Sequence, residues 1–154
     1  MTLMDAQQFD EARARRRRNL IIVAIVGAII LIWVAYHLRN YPERHVASKF
    51  FAALAHQDIE GAYAIWYQDP NWKQHLQKYA GYNFGTFELD WGPTGEYGEI
   101  RSHRIRNALT PKNSSGVVVI AMINDRKTPL ALWVEKNDRS ITFLPPTLNI
   151  RIEE

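Results

Sequence analysis

A chain of 154 residues that is 47% hydrophobic, with five Trp, seven Tyr and six Phe, has the means to bury one core of ordinary size, which excludes bulk disorder. Having no cysteine, it excludes disulfides, thiolate metal ligands and a cysteine nucleophile. The formal charge of +3 is unevenly spread: five Arg face three acids in the first eighteen residues, while from Arg39 onward fourteen basic residues face thirteen acidic ones. That balance argues against a nucleic-acid partner, because phosphate backbones are bound by clustered positive charge.

In chain order, residues 1–18 form a basic tail and residues 19–39 a membrane span. From Leu20 to Leu38 runs LIIVAIVGAIILIWVAYHL, uncharged throughout, with His37 its only strongly polar residue. At about 1.5 Å per residue, a helix of this length covers roughly the 30 Å of a bilayer's hydrocarbon. Arg13, Arg15, Arg16, Arg17 and Arg18 precede the run and only Arg39 and Arg44 follow closely, so the positive-inside rule places the N-terminus in the cytoplasm. Trp33 and Tyr36 fall toward the far end, where amphipathic rings favour the interface. No A-x-A-like site follows the run, so it reads as an uncleaved anchor, and "RRNLI" lacks the twin-arginine pattern. The expectation is a single-pass protein of the cytoplasmic (inner) membrane, touching lipid through this anchor. Residues 40–149 would form a periplasmic or extracellular domain and residues 150–154 a C-terminal tail.

Within the domain, Pro42 suits a first helical turn, and Val46, Phe50, Ala53, Leu54 and Gln57 follow at helical spacing, with Phe51 widening the stripe. Asp58 is the predicted N-cap of IEGAYAIWY, which puts Ile59, Tyr63 and Trp66 on one face. The Asp69–Asn71 triplet DPN breaks that helix. Asn71 then caps a predicted helix WKQHLQKYA, ended by Gly81, and TFELDW carries a weaker helical signal.

After Tyr97 the pattern changes to strands. YGEIRSHRIRNAL, SGVVVIAMIND, PLALWVEKND and SITFLPP are separated by the short turns TPKNS, DRKT and NDRS, which join neighbours antiparallel. VVVIAMI is apolar on both parities and therefore belongs at the centre of the sheet. The class is α+β, with helices packed on one face of a four-stranded antiparallel meander.

The opening A-x-x-F-F-A-A-L-A-x-x-D-x-x-x-A-Y at Ala47–Tyr63, followed by a bent meander, resembles the cystatin-like cone of the nuclear transport factor 2 superfamily. DWGPTGEYGEIRSHRI, the later IND, and PLALWVEKND with ITFLPP also resemble bacterial membrane-anchored proteins with one N-terminal span. A looser similarity is to cytochrome oxidase complex assembly proteins. The resemblance spans about residues 45–145 and implies a fold, while the superfamily's activities range from isomerases to architectural subunits.

The residues leave two functional readings. Gly92, Gly95 and Gly98 form G-x-x-G-x-x-G, which is neither a phosphate loop nor a dinucleotide fingerprint. It reads as a tight helix-to-sheet crossover, with Trp91 and Tyr97 plugging the end of the core. A ketosteroid-isomerase-like pocket would require an inward carboxylate walled by apolar groups and flanked by donors. Asp90 beside Trp91, with Tyr63, Tyr67 or Tyr97 as donors, comes nearest, whereas Asp125, Glu135 and Asp138 fall in or beside turns. The five histidines show no metal-ligand spacing, and no nucleophile motif occurs, so neither a metal, a cofactor nor a catalytic set is expected. The leading expectation is a non-enzymatic interaction module, an accessory or assembly subunit of a membrane complex. Tyr63, Trp66, Tyr67, Asp90, Trp91 and Tyr97 would line its partner surface or a pocket for a small apolar ligand.

Overall fold

A computed structural model describes residues 11–124, 126–146 and 148, apart from the side chains of residues 11, 12 and 37. The expectations for residues 1–10, Asp125 and 149–154 lie outside the described residues. The chain divides into two compact units, Met1–Arg39 and Asn40–Glu154.

In the first unit, helix α1 (Glu11–Leu38) holds the whole apolar run in one piece. From Leu20 to Leu38 it is apolar all round, and its large apolar side chains there stand open, from 37% exposed at Val34 to 73% at Tyr36. A soluble helix turns such a surface inward. This one is long and apolar enough to cross a membrane.

The second unit contains α2 (Tyr41–Ala55), α3 (Ile59–Tyr67), α4 (Phe84–Trp91) and the strands β1 (His103–Leu109), β2 (Gly116–Ile123), β3 (Leu130–Glu135) and β4 (Ile141–Phe143). It is α+β, and its open antiparallel sheet has the order β1-β2-β3-β4. On α2, Pro42 sits in the first turn, and Ala47, Phe50, Phe51 and Leu54 are buried. Asn40, at the N-cap, turns its side chain to the sheet instead of the helix: Nδ2 donates to the Ala108 carbonyl (3.0 Å), and Oδ1 accepts from Thr110 Oγ1 (3.1 Å). Asp58 caps α3 as its sequence predicts, accepting from the Gly61 N–H at 2.8 Å.

WKQHLQKYA departs from the predicted helix. It forms two 3-10 segments, Trp72–Gln74 and Leu76–Tyr82, and Asn71 makes no side-chain cap. Asp69 is the cause. Its Oδ1 accepts the Asn71 N–H (2.9 Å), while Oδ2 holds His75 Nδ1 and the Tyr79 hydroxyl, both at 2.7 Å, so the backbone is pinned before an α-turn can propagate. Trp72 and Tyr79 still point inward, but Leu76, which an α-helix would place on the same face, is 60% exposed. The weak signal in TFELDW matures into α4, because Asn83 Oδ1 accepts the Thr86 N–H at 3.0 Å and Phe87 and Trp91, one turn apart, are both buried.

Strand β2 is buried on both parities for a specific reason. Val117, Val119, Ala121 and Ile123 join the main core beneath the helices. Val118 and Ile120 form a second small core with Trp133, against which Ala131, Leu144 and Leu148 pack. The expected helix layer on one face is therefore matched by cover on the other, drawn partly from the segment after β4. A register slip between Ile105 and Asn107 bends β1.

Candidate functional site

The glycine stretch resolves into backbone necessity. The Gly92 N–H donates to Glu88 O (2.8 Å), Gly95 to Gly92 O (2.9 Å) and Gly98 to Gly95 O (3.0 Å), a chain of tight turns leading from α4 toward β1. A Cβ on Gly95 would collide with the Asp90 carbonyl oxygen and one on Gly92 with that of Glu88, while Gly98 has φ +62°. The turns deliver Tyr97 onto the face of Trp91, with centroids 4.9 Å apart and planes at 21°.

Phe143 of β4 also lies nearly parallel to Trp91, 6.1 Å away at 10°. Around this stack, Phe50, Trp66 and Phe87 meet at 5.4 to 6.1 Å in tilted or edge-to-face geometry. Such offset contacts add roughly 0.5–1.5 kcal/mol per pair beyond the area they bury. Of the six singled-out residues, Tyr63, Trp66 and Trp91 are buried to within 2%. Tyr67, Asp90 and Tyr97 are half-buried. Tyr97 also lines a surface cavity of about 150 Å3 with Glu96, Ile123, Arg126, Thr128, Pro129 and Leu130.

The polar wiring runs through a residue that the sequence does not advertise. Tyr63 and Tyr67 both donate their hydroxyls to the Tyr82 carbonyl at 2.9 Å. The Tyr82 hydroxyl in turn donates to Asp90 Oδ2 at 2.7 Å. Asp90 thus has a tyrosine donor, but it is Tyr82 and not Tyr63, Tyr67 or Tyr97. Phe143, Tyr79 and Asp69 likewise enter the cluster unannounced. Tyr79 stacks on Tyr67 at 4.1 Å and bonds to Asp69.

Burial sets the proton affinities. Desolvation, aided by neighbouring Tyr67 and Tyr79, pushes the Tyr63 hydroxyl up to about 12. Burial, and then the Asp90 carboxylate, pushes Tyr82 well above its ordinary value, and burial also raises Tyr67 and Tyr97. Near neutral pH all four are therefore O–H donors, and the first three have their donor bonds already made within the chain. Trp91 Nε1 is buried and makes no well-formed hydrogen bond among the described residues, although its N–H acts on the Tyr82 hydroxyl and partly offsets that group's rise.

The described histidines are dispersed. His45 stacks on Tyr41 (5.8 Å, 8°), His75 bonds to Asp69, and His103 approaches Ser48 Oγ at 3.3 Å and lies 5.7 Å from the Phe51 ring. Among the described residues, no three His, Asp or Glu side chains converge as a metal site. Compared with protein-family models, with curated proteins and with solved structures, the chain matches none.

Proposed function

We propose that this chain is a membrane-anchored, non-enzymatic interaction module, an accessory or assembly subunit of a membrane protein complex. In this reading α1 spans the cytoplasmic membrane with its arginines inside, and the domain from residue 40 stands outside and engages another membrane protein. The observation that carries it is the uncharged Leu20–Leu38 helix with its apolar side chains open on every side, a surface that lipid satisfies and water does not. The filled aromatic core supports the non-enzymatic half, since the rings that could have walled a pocket are spent on one another. We read the domain itself as a nuclear transport factor 2-like cone, supported by its order of helices, then bulged meander.

A small-ligand pocket of ketosteroid-isomerase type is the alternative. Its supporting observation is the buried Trp91 Nε1, which makes no well-formed hydrogen bond among the described residues and belongs to the residue beside Asp90.

The deciding experiment extracts the tagged full chain from its own membranes. Resistance to alkaline carbonate with release by mild detergent, followed by stoichiometric co-purification within a larger assembly, is the expected result. Release by carbonate would overturn the anchor, and recovery as a lone monomer or simple homodimer would overturn the interaction role in favour of the pocket.

A further inference from the structure

The near-neutral balance of the domain conceals a division. Residues 100–128 hold six Lys and Arg against one acid, Asp125, whereas the remainder from Arg39 onward holds eight against twelve. The fold brings part of this block together: pairing of Arg104 with Met122 sets the start of β1 beside the end of β2 and the turn that carries Arg126, while Lys112 lies in the β1–β2 turn at the other end of the pair. At the end of the β1–β2 pair lies a cavity of about 470 Å3 lined by Ser102, His103, Arg104, Met122, Asn124 and Arg126, with no carboxylate among these residues.

The wall is held in place by its own backbone. Arg104 pairs with Met122 across the strands. Asn124 adopts φ +51°, donates its N–H to Ser102 O (2.8 Å), and uses Oδ1 to take the N–H groups of Arg101 and Ser102. Arg101 is neutralised by Glu99 at 2.9 Å, but among the described residues neither Arg104 nor Arg126 has a carboxylate partner. Arg126 donates one N–H to the backbone carbonyl of Glu96 (2.8 Å) and lies over the Tyr97 ring at 5.3 Å, contacts that orient it without cancelling its charge. Of the described acids that precede β1, Glu99 is held by Arg101 and Gln57, and Glu96 lines the adjoining small cavity.

We infer that this cavity binds a phosphate-type oxyanion between Arg104 and Arg126, with the Ser102 hydroxyl as a further donor. Planar guanidinium forks match the paired oxygens of a phosphate, and two of them flanking one cavity select this class over a simple halide. The same chemistry is offered by a soluble phosphate and by the headgroup of an anionic phospholipid.

The test uses the full chain, isotope-labelled, in a neutral maltoside detergent. Inorganic phosphate is titrated against matched sodium chloride while the amide signals of Ser102, His103, Arg104 and Asn124 are followed. Saturable shifts are expected, weakened about tenfold by Arg104→Gln or Arg126→Gln, lost in the double variant, and unchanged by Arg44→Gln on the exposed side of α2. Melting curves confirm that each variant remains folded. Mixed micelles then separate the sources: saturation by short-chain phosphatidylglycerol well below the phosphate concentration, with none by phosphatidylcholine, assigns a lipid headgroup. Equal or stronger response to inorganic phosphate assigns a free anion. Shifts reproduced by chloride, or retained in the double variant, overturn the proposal.

Discussion

Trp91 at the end of α4 and Phe143 on the edge strand lie face to face, 6.1 Å apart with planes at 10°, joining the last helix to the last strand. The two are unequal partners. Trp91 is 2% exposed and touches Phe50, Phe51, Trp66, Phe87 and Tyr97 as well, whereas Phe143 is 44% exposed and reaches Trp66, Tyr82 and Trp91. Trp91→Ala is expected to cost about 3–5 kcal/mol, and Phe143→Ala no more than about half of that, since much of its area already faces water. Urea unfolding of both singles and the double measures their coupling. A Phe143→Ala cost equal to that of Trp91→Ala would show the edge strand to be as essential as the core.

The glycines divide into those the backbone requires and those it does not. Gly95→Ala places a methyl against the Asp90 carbonyl and is expected to lose more than about 1 kcal/mol. Gly81→Ala meets nothing within 4 Å and is expected to gain about 0.4–1 kcal/mol by narrowing the unfolded ensemble. Thermal melts of the pair check this. If Gly95→Ala melts as the parent while partner or ligand binding disappears, the crossover is a site and not a hinge of the fold.

Tyr82→Phe removes the donor to Asp90 but leaves the Tyr82 carbonyl that receives Tyr63 and Tyr67. The expected loss is about 1.5 kcal/mol, the worth of a hydrogen bond to a charged acceptor in a half-buried place. Asp90→Asn, which keeps an acceptor oxygen, should lose less. Chemical denaturation ranks the two, and the reverse order would mean that the Asp90 charge has a task beyond receiving Tyr82.

How far the sequence reaches is visible in this same pair. Asp90 was legible as a carboxylate beside an indole. Its donor was not, because Tyr82 sits in a 3-10 segment whose course is set by the bonds of Asp69 and not by periodicity. Helical stripes such as Phe50 with Leu54, and the cap at Asp58, are local patterns and read directly. The both-sided apolarity of β2 announced a central strand. What covers its second face was hidden, because Leu144 and Leu148 flank Pro145 and Pro146, which read as the end of structure rather than as a return to it. The clustering of positive charge was masked by the domain's near-neutral sum.

Stability should fall at both ends of the pH scale through identifiable groups. Tyr63 is raised from 10.0 to about 12 in the folded state, so its contribution is fully present below 10 and is lost as pH rises through about 12. Tyr63→Phe should flatten that alkaline loss. Burial lowers His103 below 6.5, so the fold favours the neutral ring: its contribution is present above 6.5 and declines as pH falls through the lower folded value. Melting temperature against pH, with His103→Gln as the comparison, reads the acid limb, and an unchanged limb in that variant would assign it to other groups.

Because the chain has no cysteine, single cysteines report its topology against an empty background. Asn137, exposed in the β3–β4 turn, and Ala14, in the arginine-rich start of α1, lie on opposite sides of the uncharged run. With the arginines retained inside, a membrane-impermeant maleimide should label Asn137→Cys in intact cells and Ala14→Cys only after permeabilisation. The opposite pattern would invert the orientation. Equal labelling of both in intact cells would mean that α1 does not hold them apart, and the open apolar surface of that helix would then need a protein rather than a bilayer to cover it.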